Sequence, residues 1–82
     1  MAVTLTKEQI EEKVRQVVVN QLDVDPSEVK LDSLFVDDLG ADSLDLTELA
    51  VGFEDEFDIE IPDADFGNLS TVENVVNYIL NL

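Results

Sequence analysis

The chain has 82 residues, 45% of them hydrophobic, and a formal net charge of −16, and it contains neither cysteine nor histidine. A chain of this size is expected to form one domain with a modest core, spanning residues 1–82. The missing cysteines exclude disulfides and thiolate metal sites, and the negative charge disfavours nucleic acid and anionic membranes as partners. No apolar run approaches the ~18 residues of a membrane span, and the amino terminus lacks a signal-peptide pattern. The absence of cysteine fits a cytosol-like compartment.

The acidic residues are distributed unevenly along the chain. Residues 1–30 contain six acidic and four basic side chains, whereas residues 31–82 contain fourteen acidic side chains and no lysine or arginine. Solubility alone is one interpretation of this distribution, but so one-sided a charge repels itself and lowers stability, which favours a role in binding. The charge predicts protein partners with basic patches, whose attraction weakens as salt is added.

The first helix is predicted over residues 7–22. Thr6 and Gln9 form a capping box at its start. Apolar residues then recur at helical spacing, at Ile10, Val14, Val17, Val18 and Leu22. Residues 23–42 show no long periodic segment, although Pro26 suits the first turn of a short helix, so a long loop is expected there. The apolar residues expected to attach this loop to the core are Leu31, Leu34, Phe35 and Leu39.

The second helix is predicted to begin at Asp42 or Ser43 and to end at Glu56 or Phe57. Its expected core face consists of Leu46, Leu49, Ala50, Phe53 and Phe57. Gly52 inside this helix costs about 1 kcal/mol relative to alanine.

The rest of the chain predicts a connector, a short helix and a longer helix. Residues 58–62 alternate like a strand but have no strand to pair with, which indicates an extended connector. Residues 62–66 allow a turn or two of helix. A last helix is expected after a cap at Ser70 with Glu73 three residues on, and its apolar positions are Val72, Val75, Val76, Ile79 and Leu80. The predicted fold is all-α: a small antiparallel four-helix bundle with three main helices, one short third helix and a long loop between helices one and two.

Ser43 lies where a glycine-containing loop becomes the start of the second helix. Serine often caps helices, and that role alone would explain its position. Alternatively, its hydroxyl carries a covalent group, and a phosphate there would meet unpaired backbone N–H groups and the positive end of the helix dipole. The carboxylates of Asp38, Asp42 and Asp45 would repel free phosphate. Because the chain has no histidine to act as a base, any reaction at Ser43 must be driven by another protein.

A calcium loop is the second candidate site. Asp37 and Glu48 have the spacing of the first and last ligands of an EF-hand loop. The intervening positions do not fit, because Leu39 and Ala41 have no side-chain ligands and Asp42 replaces the required glycine. The sequence therefore predicts no specific metal site, and only loose binding of divalent cations to the acidic clusters.

The outer face of the second helix carries two apolar residues between carboxylates. Leu44 and Val51 lie opposite the core face, flanked by Glu48 and Asp55. Single exposed apolar residues are ordinary. Two of them one heptad apart on an acidic helix, beside Ser43, indicate a surface for docking a basic partner with an apolar groove.

Two motifs carry a resemblance to a known family. Residues 38–45 (DLGADSLD) and 47–63 (TELAVGFEDEFDIEIPD) closely resemble the acyl carrier proteins of dissociated fatty-acid synthesis. The similarity continues to residues 70–79 (STVENVVNYI) and covers nearly the whole chain. Departures from the family pattern occur at Thr47, Leu34 and Phe66-Gly67-Asn68, which stand where a valine, a small polar residue and a more helical acidic segment are usual. In this family such departures bear on which partners the protein prefers and on the length of acyl chain it accepts. They leave residues 38–45, the motif around Ser43, unchanged.

The resemblance implies that Ser43 is esterified with 4'-phosphopantetheine, transferred from coenzyme A by a separate magnesium-dependent transferase. The thiol of this arm would hold acyl groups as thioesters and would supply the sulfur that the chain itself lacks. The implied partner-recognition face consists of Asp42, Leu44, Asp45, Glu48, Val51, Glu54 and Asp55. The acyl chain can retreat between the helices in this family, and the lining candidates, each of which also fits plain core, are Phe35, Leu46, Phe53, Leu69 and Val75.

The expected function is that of a carrier of growing fatty acyl chains that is not itself an enzyme. Its expected partners are a phosphopantetheinyl transferase (holo-synthase), fatty-acid synthesis enzymes and acyltransferases with basic docking patches. The carrier is expected to be a monomer in a bacterial-type cytoplasm or an organelle matrix. The alternatives are a polyketide, peptidyl or D-alanyl carrier of the same fold, or an unmodified acidic adaptor of basic proteins.

Self-repulsion makes the stability of this chain sensitive to solution conditions. Added salt, Mg²⁺ or mild acid is expected to raise the melting temperature, because each screens or neutralises part of the net charge of −16. Thermal unfolding followed by circular dichroism measures the shift. An unchanged melting temperature under all three conditions would show that self-repulsion is negligible.

Overall fold

The computed structural model describes residues 5–82, and within that range the regular elements are helices. They are α1 (Lys7–Leu22), α2 (Ser43–Phe57), α3 (Asp63–Phe66) and α4 (Val72–Leu80), with a 3-10 turn at Pro26–Glu28. The predicted all-α class, with four helices of which the third is short, is confirmed. No helix between residues 5 and 82 is long and apolar enough to cross a membrane. The prediction that no signal peptide is present falls partly on residues 1–4, which lie outside the described residues.

The first helix begins and ends where the sequence predicts. The Thr6 side chain accepts the amide N–H of Gln9 at 3.2 Å, and the Gln9 side chain accepts the Thr6 amide at 2.9 Å, which completes the capping box. The helix ends at Asp23, whose left-handed conformation (φ 54°) directs its amide back to the Val19 carbonyl. Aspartate is among the few residues other than glycine that adopt this conformation readily.

The predicted start of the last helix is one residue too early. Thr71, not Ser70, is the cap: its hydroxyl accepts the Asn74 amide at 3.1 Å, and the Asn74 side chain accepts the Thr71 amide at 3.2 Å. The cause is tertiary, because Thr71 forms an isolated antiparallel β-bridge with Leu34. Ser70 is held in the same extended segment by the hydrogen bond from the Phe35 amide to its carbonyl. The helix can therefore begin only after this pairing ends.

The core lies where α1 packs against both α2 and α4. Its buried helical residues are Ile10, Val14, Val17 and Val18 from α1, Leu49, Ala50, Phe53 and Phe57 from α2, and Val72, Val75, Val76 and Ile79 from α4. The periodicity predicted this set, except that Leu22 and Leu46 are half-buried and Leu80 is exposed. Leu80 lies about 100° around the helix from Ile79, which places it at the edge of the apolar stripe.

The long loop between α1 and α2 is anchored to the core by its own apolar residues. Phe35 and Leu39 are buried as predicted, while Leu31 and Leu34 are half-buried. Hydrogen bonds from the amides of Val72 and Glu73 to loop carbonyls connect the loop to the start of α4. The loop therefore has a defined path, which leads the chain to α2 at residue 42.

Helices α1 and α2 approach closely at Gly52. A Cβ atom at this position would lie 2.8 Å from Cγ1 of the buried Val17. Valine in a helix has one strongly preferred rotamer, so Val17 cannot readily move its methyl group aside. The contact explains why a residue that weakens the helix occupies its middle.

Gly52→Ala is therefore expected to destabilise the protein, although alanine is the better helix former. Overpacking costs about 1–3 kcal/mol, against a gain of about 1 kcal/mol in helix propensity. Urea unfolding of the wild type, Gly52→Ala, Val17→Ala and the double variant measures the coupling between the two positions. Additive effects, or a stabilised single Gly52→Ala variant, would contradict the close approach.

Candidate functional site

Ser43 is the first residue of α2, and Asp42 is the cap. The Asp42 carboxylate accepts the Asp45 amide at 2.8 Å, and the Asp45 carboxylate accepts the Asp42 amide at 3.1 Å. The alternative in which Ser43 serves only as the cap is therefore wrong. Ser43 is exposed, and within residues 5–82 its hydroxyl has no hydrogen-bond partner. The hydroxyl is thus free for a covalent attachment.

The turn at residues 34–41, which precedes Ser43, is held by several hydrogen bonds. The Asp38 carboxylate accepts the Leu34 amide at 2.8 Å, and the Ala41 amide donates to the Phe35 carbonyl at 2.8 Å. Gly40 has φ +74°, a left-handed backbone conformation that residues with a Cβ atom rarely adopt, so glycine is favoured at this position. The turn and the Asp42 cap together fix where α2 starts.

Within residues 5–82, Ser43 has no hydrogen-bonded base that could activate it. The chain has no histidine, and no carboxylate in the described part of the chain is hydrogen-bonded to the Ser43 hydroxyl. A serine nucleophile requires such a partner. Residues 5–82 also contain no group of three or more His, Cys, Asp or Glu side chains placed to hold a metal ion.

The residues predicted for partner recognition separate into two groups. Leu44 is 65% exposed and Val51 50%, and the other exposed members are Asp42, Glu48 and Asp55. Leu44, Glu48, Val51 and Asp55 form an exposed strip that alternates apolar and acidic side chains along α2, and the cap Asp42 precedes it. Asp45 and Glu54 are half-buried, and their carboxylates accept backbone amides.

Glu54 holds the connector between α2 and α3. Its carboxylate accepts the amide N–H of Ile61 at 2.8 Å, and Ile61 is only 4% exposed. Without this carboxylate a buried donor would lose its partner, which is costly in a protein interior. The family resemblance assigned Glu54 only to the partner-recognition face, and no pattern in the sequence indicated this second role, because the hydrogen bond joins residues that only the fold brings together.

The residues predicted to line an acyl-chain pocket also divide. Phe35, Leu46 and Leu69 line a cavity of about 260 Å³, here called the loop cavity, whose remaining walls are Leu34, Val36, Asp37, Phe66, Gly67 and Ser70. Phe53 and Val75 are instead fully buried in the core. Leu46 follows Ser43 by three residues, so the two side chains lie on neighbouring positions of one helix face. The loop cavity is therefore adjacent to the start of α2.

Phe66 lies in a segment too short for a periodic pattern, so periodicity did not indicate that its side chain packs against the core. Its ring packs against that of Phe53, with a centroid distance of 6.4 Å and an interplanar angle of 44°.

A hydrogen bond connects α3 to α4: the Tyr78 hydroxyl of α4 donates to the Asp65 carboxylate of α3 at 2.9 Å. Desolvation, and then this hydrogen bond and the charge of Asp65, raise the pKa of Tyr78. The phenol therefore remains protonated and the link intact throughout the neutral range, and its contribution to stability is lost only as the pH rises through the raised pKa.

Comparison with known proteins gives a consistent result. Residues 12–79 match the family described as "Phosphopantetheine attachment site". An acyl carrier protein from Bdellovibrio bacteriovorus is 53% identical over 70 residues, which cover 85% of this chain and 90% of that protein. An acyl carrier protein from Clostridium acetobutylicum is 53% identical over 68 residues, which cover 83% of this chain and 88% of that protein.

Removing the Glu54 carboxylate is expected to loosen the connector. Glu54→Ala leaves the buried Ile61 amide without its acceptor, at a cost of about 1–3 kcal/mol. Native-state hydrogen exchange should show faster exchange at Ile61, while Glu54→Gln, which keeps an acceptor oxygen, should retain most of the protection. Exposed Asp55→Ala serves as the matched control. Unchanged Ile61 exchange in Glu54→Ala would contradict the assigned role.

Proposed function

Because the chain belongs to the acyl carrier protein family, we propose that Ser43 is the residue that bears its 4'-phosphopantetheine. The protein carries acyl groups, and its prosthetic group is covalently attached. When bound, this group supplies the thiol on which an acyl group is held as a thioester. The residues of the chain have the remaining tasks of presenting the attachment point, binding partner enzymes and sheltering the acyl chain.

The observation that carries the proposal is the free hydroxyl at the first position of α2. Asp42 satisfies the helix start, so Ser43 is not required for capping and remains exposed. No base acts on this hydroxyl from within residues 5–82, which supports modification by a separate transferase and a role without catalysis. The chain itself contributes no acid or base to acyl transfer.

The exposed strip on α2 supports recognition by basic enzymes. Leu44 and Val51 offer apolar contacts, and the surrounding carboxylates attract cationic patches before contact is made. The complete face comprises Asp42, Leu44, Asp45, Glu48, Val51, Glu54 and Asp55. Its partners are a phosphopantetheinyl transferase, fatty-acid synthesis enzymes and acyltransferases. Asp45 and Glu54 contribute charge to this face while keeping their backbone hydrogen bonds.

The loop cavity supports sheltering of the acyl chain. It lies next to the start of α2, and most of its walls are apolar, among them Phe35, Leu46 and Leu69. Phe53 and Val75 form the core behind it. The proposal also includes an antiparallel bundle as one domain over residues 1–82, a monomeric state and a bacterial-type cytoplasm, in keeping with the bacterial relatives.

Modification at Ser43 can be measured directly by intact mass. Incubation with coenzyme A, Mg²⁺ and a broad-range phosphopantetheinyl transferase is expected to add one phosphopantetheine to the wild type and none to Ser43→Ala. Ser27→Ala, which removes another exposed serine hydroxyl, should be modified like the wild type. A wild type that gains no mass, or a modified Ser43→Ala, would refute the proposed attachment site.

A further inference from the structure

A second cavity adjoins the loop cavity. This connector cavity, of about 450 Å³, lies between α2 and residues 61–67. Both cavities are lined by Leu46, Phe66 and Gly67, so these three residues form the boundary between them. Gly67 has no side chain, and the wall is therefore made by the side chains of Leu46 and Phe66.

The two cavities differ in chemistry. The wall of the loop cavity contains one carboxylate, that of Asp37. The connector cavity has the carboxylates of Glu54 and Asp63 and the hydroxyl of Thr47 in its wall, together with Ala50, Val51 and Ile61. An apolar chain that starts near Ser43 is therefore favoured in the loop cavity first, since burying methylenes against apolar walls is favourable and desolvating carboxylates is not.

Phe66 is the less firmly supported half of the wall. Leu46 lies on α2, a helix of 15 residues with a complete capping box. Phe66 ends α3, which has only four residues and, within the described chain, no side-chain hydrogen bond at its cap. The Phe66 residue is half-buried, and its ring packs against the ring of Phe53. A change at position 66 can thus alter the wall without dismantling a long helix.

We infer that Phe66 sets the length of acyl chain that this protein shelters. The inference rests on the proposed function, in which the chain is tethered through Ser43. A chain fills the loop cavity and stops where Phe66 and Leu46 close it. With a smaller side chain at position 66 the two cavities join, and a longer chain continues into the connector cavity.

The inference is tested by loading the protein with saturated acyl groups of increasing length and measuring thermal unfolding. A methylene sheltered in the folded state and exposed in the unfolded state shifts the folding equilibrium up to about fourfold towards the folded state. The melting temperature of the wild type should therefore rise from acetyl through longer chains and then reach a plateau when the cavity is full. The position of the plateau along the series reports cavity length, whatever the absolute stability of the variant.

Phe66→Ala is expected to move the plateau to longer acyl groups, and the milder Phe66→Leu to move it less far in the same direction. Phe66→Leu also covers the case in which the alanine variant fails to fold. The matched control is Phe57→Leu, which makes the same side-chain change as Phe66→Leu. Phe57 is a buried core residue that lines neither the loop cavity nor the connector cavity. This control should lower every melting temperature and leave the plateau in place.

The outcomes separate this inference from the proposed function. A plateau that stays at the same acyl length in the Phe66 variants, or that moves equally in Phe57→Leu, overturns the role of Phe66 while the carrier function stands. A wild type that shows no increase in melting temperature with chain length also overturns it. If Ser43 takes up no arm at all, the proposed attachment and this inference fail together.

Discussion

Two reciprocal hydrogen bonds between Asp42 and Asp45 determine where α2 begins, and the site depends on that start. Because the Asp42 carboxylate accepts the Asp45 amide, which has no partner within the helix, Ser43 is not needed as the cap. Ser43 is instead the first helical residue, and its side chain is exposed. The same start determines which way each later side chain of α2 points. A start displaced by one residue would rotate the helix by about 100°, moving the exposed strip towards the core and Leu46 away from the cavities.

The acidic side chains of this protein do more than provide charge. Several of them accept backbone N–H groups that irregular segments leave unpaired: Asp25 at the 3-10 turn, Asp38 in the loop before α2, and Glu54 at the connector. Two hydrogen bonds from Ser27 lower the pKa of the Asp25 carboxyl group. The larger effect comes from the Ser27 backbone amide and the smaller from the Ser27 hydroxyl. Within residues 5–82 two ion pairs, Lys13–Glu56 and Arg15–Glu12, compensate only a small part of the negative charge. Most of the negative charge in this part of the chain is therefore not compensated by ion pairs.

Helix α2 connects the surfaces on which a carrier depends. One side of it faces the core through Leu49 and Phe53, the opposite side presents Leu44 and Val51 to solvent, and the half-buried Leu46 borders both cavities. The short α3 covers these cavities and is held by contacts with other elements, through the Tyr78–Asp65 hydrogen bond and the aromatic contact with Phe53. The region proposed to shelter the acyl chain is thus bordered by segments with little regular structure of their own.

Local patterns in the sequence determined the helices, most of the core and the identity of the candidate serine. Periodic apolar residues and the Thr6–Gln9 box predict α1 correctly because helix formation and capping depend on residues within a few positions of each other. Tertiary contacts decided the rest. The pairing of Thr71 with Leu34 places the start of α4 one residue later than the sequence pattern predicts. The hydrogen bond from the Ile61 amide gives Glu54 a structural role. The boundary at Phe66 arises because three segments distant in sequence meet there, and no local pattern records such a meeting.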